Sequence, residues 1–207
     1  MILEFIRSLR RRTDRTKAGS AALLPLAMLL VVFMCFFIVY TFRRSALEYC
    51  YEQTDSNLTY ALLAAAIINL DEYVRSGNLI IADSAEPAVG DAAFANSYLR
   101  FLDCLKSNLG LDAAMHSVKG QGLTGEVEVN AYRIYNYVAD GSGWHITECG
   151  IRNGQHYTLR YPDNVAVYVE ANDGVVRVTE TSVYARISFS LEGLGAYSLT
   201  RLVAVTV

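Results

Sequence analysis

Three side chains that can ligate a metal, His145, Cys149 and His156, lie close together in the C-terminal half of the chain. A tetrahedral zinc site needs four ligand atoms about 2 Å from one centre. His145 and Cys149 are four residues apart, which on an extended strand is about 13 Å. A hairpin at Asn153-Gly154 puts all three on one face yet brings only Cys149 and His156 near each other. Two ligands do not make a structural site, so these residues are expected to pack or to face solvent.

Gly120-Gln121-Gly122-Leu123-Thr124-Gly125 has the form G-x-G-x-x-G. A dinucleotide site needs a strand before that motif and a helix after it, so that the pyrophosphate meets a helix N-terminus. Here the pattern that follows is a strand, and the glycines read as a loop. No G-x-S-x-G, G-x-x-x-x-G-K-[ST] or H-E-x-x-H occurs. The expectation is a protein that is not an enzyme, with no catalytic, cofactor-binding or metal residues.

Four cysteines stand at positions 35, 50, 104 and 149. Cys35 lies in the most apolar stretch and reads as a small apolar side chain. If the rest of the chain is exported, the other three meet an oxidising space, and one bridge is expected there. Cys104–Cys149 is the candidate disulfide, tying a helix to the sheet, although spacing alone leaves the pairing open.

Residues 21–42 carry no charged side chain, and at 1.5 Å per residue that run is about 33 Å long, enough to cross a bilayer core. Mean hydropathy is +0.23 and only 19% of residues are charged, below the roughly 25% usual for soluble domains. Residues 1–44 hold 8 Lys and Arg against 2 acids, and residues 45–207 hold 10 against 19, giving +6 and −9. A body of net −9 offers nucleic acid no basic stripe, so no nucleic-acid partner is expected.

Arg7, Arg10, Arg11, Arg12, Arg15 and Lys17 precede the span, and Arg43 and Arg44 follow it. The positive-inside rule places the N-terminus in the cytoplasm and the C-terminal part outside a cell membrane crossed once. A cleaved secretory signal is disfavoured, because the apolar run exceeds the usual 7 to 15 residues and ends in Arg43-Arg44 rather than small-x-small.

The pattern predicts a basic leader at 1–19, a transmembrane helix at 20–44 and an exported α+β domain at 45–207. Leu47, Tyr51, Thr54, Leu58, Ala61, Ala65 and Ile68 recur at spacings of four and three, so the span is expected to continue as a helix to residue 76. A second helix is predicted at 91–109, between Asp91 as cap and Gly110 as stop. Alternation with regular turn signals predicts strands between 126 and 207, at 126–139, 144–151, 155–161, 165–171, 175–190 and 197–207. The fold class expected is a long N-terminal helix packed with a second helix against an antiparallel β-meander. Asn57-Leu58-Thr59, a formal glycosylation sequon, reads as helix, and the tyrosines of the strands read as strand formers.

A basic leader, then Gly19-Ser20-Ala21-Ala22-Leu23-Leu24-Pro25, then a long apolar helix running into a sheet resembles the type IV pilin and pseudopilin plan. More narrowly it resembles the TadE/TadG-like proteins of tight-adherence (Flp) pilus systems. The resemblance implies a pilin-like fold and prepilin-peptidase cleavage between Gly19 and Ser20, the candidate processing site. It also implies partners in the lipid bilayer, in other pilin-like subunits and in an assembly platform. The family carries a glutamate at the fifth mature position, where this chain has Leu24. That difference points to a minor pseudopilin or assembly accessory rather than the main repeating subunit. The competing class is a membrane-anchored sensor or cell-surface binding module.

Overall fold

A computed structural model describes residues 2–81, 90–118, 122–152, 155–172, 174–193 and 195–205, with side chains from residue 25 on except those of 90–95, 152 and 155. The chain divides into two compact units, Met1–Glu48 and Tyr49–Val207.

The first unit is helix throughout its described length, as part of α1, Ile2–Ala65. The helix begins well before the expected residue 20, because helix-forming Leu and Arg recur through the leader and no proline precedes Pro25. Pro25 is therefore an interior proline, whose missing N–H leaves the Ala21 carbonyl without its helical donor. Neighbouring helices or local adjustments re-satisfy such carbonyls within membranes. Towards the end of this unit Arg44 donates through Nε to Glu48 at 3.0 Å, one turn along the helix.

In the second unit, α1 stops at Ala65 rather than at residue 76. Ala66-Ile67-Ile68-Asn69 leave the helix because the Asn69 N–H donates to the Ile80 carbonyl at 2.8 Å and Ile68 bridges Ile81. Asn69 then caps a short α2, Leu70–Ser76, by accepting from the Glu72 N–H at 3.1 Å. Gly77 ends α2 at φ +72, a left-handed position suited to glycine. The second helix is α3, Gly90–Leu109, with Gly110 at φ +62 after it. Asp91 falls inside α3, and its side chain lies outside the described residues.

Seven strands follow: β1 Leu123–Asp140, β2 Gly143–Arg152, β3 Gln155–Arg160, β4 Tyr168–Ala171, β5 Gly174–Arg177, β6 Ser182–Leu191 and β7 Gly195–Ala204. Five form an antiparallel sheet in the order β3-β2-β1-β6-β7, and β4-β5 form a separate hairpin. A plain meander is thus corrected. The chain builds β1-β2-β3 on one side of β1, makes the β4-β5 excursion, and returns as β6-β7 on the other side. The expected strand 175–190 is two strands with different partners: β5 pairs β4, and β6 pairs β1.

One sheet face carries Tyr132, Ile134, Val183, Ala185 and Ile187, all buried. Phe101 of α3 packs on Tyr132 with ring centroids 5.0 Å apart, and Tyr51 of α1 lies 6.4 Å from Phe189. Leu58, Ala61, Leu62, Ala65, Leu105 and Leu109 complete this core, each large apolar side chain contributing about 1.5–3 kcal/mol by leaving water. Ser97 is buried among them, donating to the Ala65 carbonyl at 3.0 Å and hydrogen-bonded to the Tyr132 hydroxyl at 2.7 Å. One small side chain thereby meets a buried carbonyl at the end of α1 and joins α1, α3 and β1. The other face is also covered, over part of its area: Val167, Val169 and Val178 close over Tyr135, Ile146 and Tyr184.

Candidate functional site

Two features stand out by their chemistry, one in each unit. In the first, α1 is long and apolar enough to span a membrane, with a mean hydropathy of 2.5 over its most apolar window and none of that window buried. Every large apolar side chain from Leu26 to Phe42 is exposed, from 47% at Ile38 to 74% at Phe42. A helix on a soluble core shows one apolar stripe, whereas this one is apolar on all sides. Such a surface is stable only against lipid or other apolar helices. Gly19 and Ser20 lie within α1, and their side chains are outside the described residues.

The second feature is a polar network around a buried carboxylate on the sheet face opposite the helices. Glu148 of β2 sits opposite Leu159 in the β2-β3 ladder, flanked by Tyr157 and Tyr161. Its side chain is 5% exposed. One carboxylate oxygen accepts from the Tyr157 hydroxyl and the other from the Tyr161 hydroxyl at 2.6 Å. Arg133 of β1 places Nε 3.7 Å from the carboxylate, donates to the Tyr135 hydroxyl at 3.4 Å, and lies over the Tyr184 ring at 5.4 Å. The charge is therefore paired and hydrogen-bonded, the condition for tolerating it at this depth.

Burial pushes the Tyr135 hydroxyl up to about 12, against a lowering by Arg133. Burial, followed by the hydrogen bond to Glu148, pushes Tyr157 and Tyr161 upward as well. These tyrosines are neutral at physiological pH, Tyr157 and Tyr161 donating to Glu148 and Tyr135 accepting from Arg133. Gly150 makes room for the arrangement, since a Cβ there would stand 2.8 Å from the Tyr157 hydroxyl oxygen. The network is a clamp between β1, β2 and β3. Tyr157 and Tyr161, four residues apart, with an acid on the neighbouring strand, are its only mark in the sequence.

The other expected residues are dispersed. Cys104 and Cys149 carry no disulfide. The Cys104 sulfur accepts from Asn108 at 3.4 Å, and the Cys149 sulfur is 3.7 Å from the Thr158 hydroxyl. Cys149 lies on the helix-covered face, since it pairs Ile134, and burial pushes its thiol up, away from the reactive thiolate. His156 pairs Ile151, and Thr158, not His156, stands opposite Cys149. Among the described residues no group of three or more His, Cys, Asp or Glu could hold a metal ion. Gly120 and Gln121 lie outside the described residues, while Gly122 leads into β1.

An open cleft of about 430 Å³ lies between residues 77–79, the end of β1 and residues 179–181. Its polar walls are already engaged: Thr181 accepts from the Tyr137 N–H at 3.0 Å and donates to the Leu79 carbonyl, and Asn78 accepts from the Ala139 N–H at 3.0 Å. Comparison of the chain with known protein families, with characterised proteins and with solved structures gives no match.

Proposed function

We propose that this protein is a membrane-anchored subunit that acts by assembly, as a minor pseudopilin or accessory of TadE/TadG-like type in a tight-adherence pilus or related secretion apparatus. The observation that carries the reading is α1, one helix whose stretch from Leu26 to Phe42 is apolar on all sides and whose last turns are the buried seam of the folded unit. A simple anchor needs only the former. In this reading the N-terminus is cytoplasmic, because basic residues are denser before the span, and residues 45–207 are a pilin-like exported domain. The membrane helix meets the bilayer and the helices of pilin-like subunits or an assembly platform, where close packing governs association.

Leu24, at the position of the family glutamate, favours a minor or accessory role, because it cannot neutralise a neighbour's N-terminal amine within the membrane. Processing between Gly19 and Ser20 belongs to the same proposal. An intact Met1 on membrane-extracted protein from a strain with active prepilin peptidase would leave the uncleaved accessory role. The reading is tested by Leu30→Lys and Phe33→Lys. Each places a charge where the helix is apolar all round, at about 2.5–3.5 kcal/mol. Loss of co-purifying pilin-like subunits with an unchanged folded unit is expected. Retention of those partners at wild-type levels would favour the sensor or binding-module class.

A further inference from the structure

We draw no further inference here: the strongest candidate, the surface patch of exposed apolar side chains made by Tyr60 and Leu63 near the end of α1, Ile67 after it and Leu70 and Val74 of α2, carries nothing, because nothing in the structure shows what covers it.

Discussion

Removing the Glu148 carboxylate takes away the acceptor of the Tyr157 and Tyr161 hydroxyls and the counter-charge of Arg133. Glu148→Ala is expected to lower the unfolding free energy by about 3–5 kcal/mol, the usual cost of breaking a buried pair from one side; chemical denaturation reads it. A change below about 0.5 kcal/mol would show the clamp to be idle. The tyrosines also set an alkaline limit. The Tyr135 hydroxyl is raised to about 12 by burial, above about 10 in the unfolded chain. A group raised on folding gives its full contribution below the unfolded value and loses it as pH rises through the folded one. Stability is thus expected to hold to about pH 9 and to fall between about 10 and 12, less steeply in Tyr135→Phe. This cluster was hardly legible in the sequence, because Glu148 becomes notable only once the register sets it between Tyr157 and Tyr161.

The elements divide into those settled by local pattern and those settled by pairing. The buried seam of α1 and the face of α3 were readable, since a period near 3.6 repeats over several turns. The break at residues 66–69 was not. Ala-Ala-Ala-Ile-Ile is compatible with helix, and it is the distant Ile80 and Ile81 that draw the chain away. The split of 175–190 was hidden for the same reason, as alternation continues through Thr179-Glu180-Thr181 while the partner strand changes. A shift of register between Val129 and Ala131 likewise keeps Val129 and Tyr132 on the same covered face, which strict alternation forbids. Asp55 of α1 and Arg201 of β7 form a bidentate pair between the helix and the outer strand. Both are only partly exposed, so Asp55→Asn is expected to cost about 1–3 kcal/mol in thermal or denaturant unfolding. No loss would reduce the pair to a surface contact.

At the scale of the whole molecule, two kinds of surface coexist: a helix stretch, Leu26 to Phe42, that is apolar on every side, and an α+β unit in which Glu148, Ser97 and Thr181 are hydrogen-bonded internally. The proposed function rests on the first of these surfaces, the helix that is apolar on all sides from Leu26 to Phe42. Association also separates the pilus reading from the sensor class, since a sensor needs its anchor only as a tether. The most direct measurement replaces residues 21–42 with an unrelated apolar span of equal length in the full chain, expressed in its own host. Recovery of pilin-like subunits with the membrane-extracted protein is then quantified. If the native helix surface is the working part, the hybrid inserts and folds yet recovers those subunits at a small fraction of the wild-type level. Recovery at the wild-type level, with function intact, would contradict assembly through the helix.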